Sequence, residues 1–326
     1  MRISVLGCGR WGSFHAWYSN HIGHEVTLYG RATSKNMQSL MVSRTNDYLT
    51  LPQEVNLTTD LNEAVNFTDV IIISISSQQL RNFAQELSKI DGIENKKFVL
   101  CMKGLESTTG NRLSTVFHDE INSEFRIPNY ELKTAVWVGP GHVQDFLNGI
   151  PNCMVISSSD DNLTYELVEI FKSPLIRFYY GKDLIGTEIG AAAKNVVGLA
   201  AGMLDGLNYS SLKGALMARG AAELSRLVEA LGGDKMTVYG LSHLGDYEAT
   251  LFSPHSHNRR FGEDFVCGRS FIKLAEGVET VSALMKLSKS VNVELPICET
   301  VNSIIHKNKD PKEQLLQLFL RSTKSE

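Results

Sequence analysis

A single lysine, Lys194, stands in the run GTEIGAAAKNVVGLAAGMLDG, residues 186 to 206, among glycine, alanine and valine. A cation in that setting is costly to desolvate, so it needs a partner or a reaction to serve. A lysine beside small apolar groups suits proton donation to a carbonyl that is receiving hydride. It then requires a carboxylate to keep it charged and oriented. Asp246, in the glycine-flanked stretch SHLGDYEAT, is the favoured partner; Glu188 and Asn195 share one side of the lysine's own helix. On that helix Gly190, Lys194, Gly198, Ala201 and Asp205 recur at spacings of three and four and so line one face, small enough for a backbone or ligand to approach.

Downstream, SPHSHNRRFG gathers Ser256, His257, Asn258, Arg259 and Arg260, whose hydroxyl, amide and guanidinium groups suit a phosphate. His255 and His257 lack a third ligand, so no metal is expected. At the other end of the chain, GCGRWG sets Gly7, Gly9 and Gly12 in G-x-G-x-x-G spacing between a strand and a helix. Gly7 permits the tight turn, Gly9 lets a pyrophosphate near the backbone, and Gly12 lets helix and strand pack closely, which is the chemistry of dinucleotide binding. The second strand, HEVTLY, ends in Gly30 and Arg31 rather than an acidic residue. An arginine there pairs with a 2′-phosphate and favours NADP, although stacking on adenine would leave NAD usable. Two more strand ends face the ligand side of such a sheet: FVLCMKG leaves Lys103 there, and VWVGPGH leaves Gly139, Gly141 and His142.

These groups need two kinds of scaffold. Short β-rich runs alternate with helical patterns through the first half, which predicts a doubly wound, Rossmann-type α/β domain with a parallel sheet over residues 1–182. Long helical patterns then dominate, which predicts an all-α domain over 183–326. Asp310, Pro311 and Glu313 read as N-cap, first-turn proline and capping-box partner of a final helix.

Composition agrees with a two-domain enzyme. The chain has 326 residues, more than one compact domain usually holds. Hydrophobic residues make up 43%, charged residues 21%, and the net charge is -4, so nothing points to nucleic acid or an acidic membrane. The five cysteines, odd in number and without C-x-x-C spacing, point away from a disulfide framework and towards a reducing cytoplasm. Strand-like sequence begins at Arg2 and no apolar run approaches spanning length, so neither a leader nor membrane insertion is expected.

Taken in order, GCGRWG, MKGLE, VGPGH, GTEIGAAAKNVVGLAAGMLDGL, ALMARGAAELSRL, GLSHLGD, NRRFG and ELPI resemble the bacterial-type NAD(P)-dependent glycerol-3-phosphate dehydrogenases over nearly the whole chain. The resemblance implies reversible reduction of dihydroxyacetone phosphate to sn-glycerol 3-phosphate with NADPH or NADH, a product for glycerophospholipid synthesis, and a homodimer. It makes Lys194 the acid/base, with Asp246 supporting it and Lys103 touching cofactor and substrate. Gly139, Gly141, Asn195, Thr250, Ser256, His257, Asn258 and Arg259 would meet the phosphorylated substrate. Gly7, Gly9, Arg10, Trp11, Gly12, Arg31, Val143, His257, Leu274 and Glu276 would line the cofactor. Two departures touch the substrate: Ser256-His257-Asn258 stands where the family has Ser-Arg-Asn, with Arg259 or Arg260 as the substitute cation. Gly139-Pro140-Gly141-His142 stands where the family carries a hydroxyl after Gly-Pro. Rival readings are a ketopantoate- or β-hydroxyacid-type reductase, whose carboxylate substrate would not call for the SHNRR phosphate grip, and a non-catalytic NADP(H) sensor, against which the Lys194 and Asp246 pair speaks.

Overall fold

The computed structural model describes residues 1–125 and 131–322. The chain separates into two compact units: Met1–Lys103 with Leu113–Leu184, and Gly104–Arg112 with Ile185–Glu326.

The first unit is built on eight strands: β1 (Arg2–Leu6), β2 (Glu25–Tyr29), β3 (Asn56–Thr58), β4 (Val70–Ile73), β5 (Lys97–Leu100), β6 (Thr134–Val138), β7 (Asn152–Ser158) and β8 (Ile176–Gly181). Their order is β3-β2-β1-β4-β5-β6-β7-β8. The order reverses between β1 and β4, and such a switch point opens a crevice beyond the strands' carboxyl ends. Both faces of the sheet are covered. In β4, Val70 and Ile72 join the core on one face while Ile71 and Ile73 join the core on the other, the period of two that a pleated strand imposes. A strand buried on both sides must be apolar throughout, which is why this one reads VIII. At the edge, β8 instead alternates buried Ile176 and Phe178 with exposed Arg177 and Tyr179, and Tyr180 on the opposite face is exposed as well.

Two features depart from the parallel sheet that the sequence pattern predicts. Strand β3 has three residues, Asn-Leu-Thr, too short and polar to register as a β run. Neighbours β6 and β7 are antiparallel, while every other pair is parallel. The helix between them, Val143–Leu147, has five residues and so rises about 7.5 Å, far less than a crossover along the sheet requires. The chain turns back where it stands.

The second unit is helical, with a 23-residue helix Leu184–Gly206 running through its core. Lys213–Ala230, His257–Val266, Glu276–Ser290, Pro296–Lys307 and Pro311–Phe319 follow. The last helix starts as its sequence predicts, with the Glu313 amide donating to Asp310 Oδ1 at 2.8 Å. Segment 104–112 also packs with this unit. Leu105 is fully buried in the helical core, Arg112 donates to Glu188 at 2.6 Å, and Lys286 Nζ donates to the carbonyls of Ser107 and Thr108.

Candidate active site

In the first unit, the glycines of GCGRWG do three different jobs. Gly7 has φ +119°, and a Cβ there would fall 2.2 Å from the Ser74 carbonyl oxygen beyond β4. A Cβ on Gly12 would lie 1.8 Å from the Gly7 oxygen, so the helix can seat on the strand only without one. Around Gly9, by contrast, a Cβ would meet nothing within 4 Å. Gly9 is the N-cap of helix Arg10–His21, and no side chain caps it. Open space in front of uncapped helix amides is what an approaching pyrophosphate needs. The residues present therefore fit a dinucleotide.

Around this turn, Arg10 lies over the Tyr48 ring at 5.2 Å, and Trp11 packs edge-on against Phe14 at 5.4 Å. Arg31 is exposed just past the end of β2. Lys103 Nζ donates to the Gly139 carbonyl at 2.8 Å, which joins the ends of β5 and β6. Gly139 and Gly141 both have φ near +140°, and a Cβ on Gly141 would lie 2.6 Å from the Phe146 ring. This backbone excludes the hydroxyl side chain that the family resemblance would place at 141. Val143 is 1% exposed, with its side chain packed in the core.

In the second unit, the small-residue face of helix Leu184–Gly206 is a bed for the segment that carries Asp246. A Cβ on Gly190 would meet His243, one on Gly198 would meet Thr250 and Asn258, and one on Gly202 would lie 1.8 Å from the Arg259 carbonyl. Lys194 sits in that row. Its Nζ lies 2.7 Å from Asp246 Oδ2 and donates to Thr250 Oγ1 at 2.9 Å, with Lys194 8%, Asp246 1% and Thr250 3% exposed. Thr250 reaches the ammonium from a wide π-type turn, Glu248–Phe252, a form that recurs at functional sites. A buried, carboxylate-paired ammonium held in this way has the chemistry to donate a proton.

Beside it, Ser256 caps helix His257–Val266, accepting from the Arg259 amide at 3.3 Å. Asn258 Oδ1 accepts from the Gly277 amide at 2.9 Å, tying this helix start to that of Glu276–Ser290. Asn195 Nδ2 lies 3.5 Å from Glu276 Oε2. His257 Nδ1 donates to the carbonyl of Leu274, whose side chain is 62% exposed. Ser256, His257, Asn258, Leu274 and Glu276 are thus gathered around two helix N-termini.

Arg259, in the first turn of helix His257–Val266, is held by carboxylates. Its Nη1 is 2.6 Å from Asp205 and 3.1 Å from Glu263, and its Nε donates to the Ser253 carbonyl. Burial alone would raise the Asp205 carboxyl, but hydrogen bonds from Lys213, Ser210 and Arg259 outweigh it and hold the group below its ordinary value. Arg259, expected from the sequence at the phosphate, is thus held in ion pairs with Asp205 and Glu263, and its neighbour Arg260 is exposed. Sequence reasoning also passed over His243 and Tyr247. Both are buried, four residues apart, and hydrogen-bonded to each other at 2.6 Å. That spacing in SHLGDY is the only signal they give. Among the described residues no group of three or more His, Cys, Asp or Glu is placed to hold a metal, and no helix is long and apolar enough to cross a membrane.

Residues 2–164 match the sequence profile of the NAD-dependent glycerol-3-phosphate dehydrogenase N-terminus, and residues 183–316 match that of its C-terminus. A glycerol-3-phosphate dehydrogenase [NAD(P)+] of Fusobacterium nucleatum is 35% identical, across 100% of this chain and 98% of its own. One from a Thermoanaerobacter species is 33% identical, across 100% and 99%. The crystal structure of glycerol-3-phosphate dehydrogenase from Coxiella burnetii superposes with a TM-score of 0.86 at 26% identity, over 98% of this chain and 99% of that one. A 2-dehydropantoate 2-reductase structure from Enterococcus faecalis, at 15% identity and a TM-score of 0.56, shares the fold alone.

Proposed function

Because the chain belongs to the NAD-dependent glycerol-3-phosphate dehydrogenase family, and so is an NAD(P)-dependent oxidoreductase that interconverts dihydroxyacetone phosphate and sn-glycerol 3-phosphate, we propose how its own residues divide that reaction. The nicotinamide cofactor supplies or takes the hydride. Lys194 gives the proton to the carbonyl oxygen as negative charge develops there, and takes it back in the reverse direction. Asp246 keeps the ammonium charged and, with Thr250, aims it. The start of helix His257–Val266, with Asn258, His257 and the exposed Arg260, receives the phosphate, whose binding positions the carbonyl. Gly7, Gly9 and Gly12 seat the pyrophosphate, Lys103 and Gly139 border the same face of the sheet, and Arg31 recognises the 2′-phosphate of NADP. Glycerol 3-phosphate made this way feeds glycerophospholipid synthesis, and the protein works as a cytoplasmic homodimer.

The observation that carries this reading is the buried Lys194 and Asp246 pair at 2.7 Å. The test is oxidation of NADPH and NADH with dihydroxyacetone phosphate, dihydroxyacetone and ketopantoate in turn. Turnover confined to the phosphate ester supports it. Preferential turnover of ketopantoate would move the substrate to the related reductases, and cofactor binding without turnover would make the protein a sensor.

A further inference from the structure

Asp246 does not reach Lys194 from a stiff element. It closes the three-residue turn Leu244–Asp246 and stands just before the wide turn that carries Thr250. Two buried side chains fix that turn to the lysine helix. His243 is 0% exposed, and its Nδ1 lies 2.8 Å from the Gly190 carbonyl oxygen. A carbonyl only accepts, so Nδ1 carries the proton and donates. In the neutral ring Nε2 is then an acceptor, and the Tyr247 hydroxyl, 2.6 Å away, donates to it.

The anchor point matters. In an α-helix the Gly190 carbonyl also accepts from the amide four residues on, which is that of Lys194. His243 is therefore tied to the helical turn that bears the lysine, and its own carbonyl accepts from the Asp246 amide at 3.0 Å. Gly190 makes the seat, since a Cβ there would lie 3.1 Å from that of His243. Tyr247, 1% exposed, braces the ring from the helical core, to which it belongs.

We infer that His243 and Tyr247 are positioning residues that hold Asp246 against Lys194 and so fix the aim and charge of the proton donor. The inference rests on the assignment of Lys194 as that donor. The charged groups facing the ring are Lys194, which disfavours its protonation, and Asp246, which favours it; burial dominates and pushes the imidazole down to about 4. The ring is thus neutral at ordinary pH, as its donor-and-acceptor pattern requires.

Three variants separate the contacts. Tyr247→Phe removes the hydroxyl, His243→Asn keeps a donor near Nδ1 but loses the acceptor, and His243→Ala removes both. Two readouts apply: the pH profile of kcat for ketone reduction, and the titration of the Lys194 side-chain resonance in lysine-labelled protein, assigned by its loss in Lys194→Arg. In His243→Ala, kcat is expected to fall about tenfold with cofactor KM unchanged, and the basic limb of the profile and the Lys194 titration to move together to lower pH by about one unit. His243→Asn recovers part of both, and Tyr247→Phe falls between. Folded variants whose Lys194 titration and pH profile match the wild type overturn the inference, whatever their melting temperatures. Should His243→Ala not fold, Tyr247→Phe decides alone. A wild type that shows the Lys194 titration but does not reduce dihydroxyacetone phosphate counts against the assigned reaction and leaves the positioning to be judged by the resonance.

Discussion

The Lys194 ammonium and the Asp246 carboxylate stand 2.7 Å apart with almost no exposure to solvent. Removing one member of such a pair strands the other, at a cost of about 3–5 kcal/mol, while replacing both with apolar groups of similar volume costs far less. Asp246→Leu is expected to lower the unfolding free energy by that amount. Lys194→Met combined with Asp246→Leu is expected to recover most of it in urea titrations.

The glycine row makes a second prediction with two signs. A Cβ on Gly202 would lie 1.8 Å from the backbone oxygen of Arg259, which cannot move without lifting helix His257–Val266 off its bed. Gly202→Ala should therefore destabilise the helical unit by several kcal/mol, on the order of a severe core overpacking. Gly214, also helical, has nothing within 4 Å of its Cβ position, and Gly214→Ala should raise stability by up to about 1 kcal/mol. Thermal melts of the two variants check both signs.

The same contrast exists at the dinucleotide turn. Gly12→Ala would place a Cβ 1.8 Å from the Gly7 oxygen and should lower the melting temperature. Gly9→Ala meets no protein atom within 4 Å, so its melting temperature should stay near that of the wild type. Its methyl group instead occupies the space in front of the helix amides, so dinucleotide affinity should drop about tenfold or more, as read by binding calorimetry.

Two fully buried histidines set the acid limit of the fold. Burial lowers His243 to about 4 and His15 to about 3 from 6.5. The unfolded chain then binds protons at these sites before the folded chain does, so stability falls as pH drops below 6.5 and levels off for each group below its folded value. Across its window His243 takes away roughly 3 kcal/mol and His15 roughly 5 kcal/mol. Denaturant titrations at intervals from pH 7 to pH 4 should show the decline, and His15→Phe, which leaves only His243 to protonate inside, should make it shallower.

The sequence was most legible where a residue's job is local or its type breaks the surrounding pattern. Each glycine of GCGRWG acts through its own φ or the space at its own Cβ, so spacing alone announces the turn. Lys194 announced itself as a cation in an apolar run, and a glycine-flanked aspartate was its natural partner. What stayed hidden depends on tertiary contacts. Arg259 and Asp205 are 54 positions apart, and nothing in NRRFG shows that one arginine is held by a distant carboxylate. Segment 104–112 looks like the tail of a strand until Leu105 is seen inside the helical core. His243 and Tyr247 look like ordinary turn residues, because their hydrogen bonds exist only once the turn lies on Gly190.

The central claim is that Lys194 is the proton donor. It is tested most directly by the steady-state reduction of dihydroxyacetone phosphate by Lys194→Met, beside wild type, with dinucleotide binding measured on both. A buried methionine fills similar volume, so the account predicts unchanged cofactor affinity with kcat reduced by about 10²–10⁴-fold, the usual worth of a positioned general acid. A folded Lys194→Met protein that binds cofactor and reduces dihydroxyacetone phosphate at a rate close to wild type would contradict it.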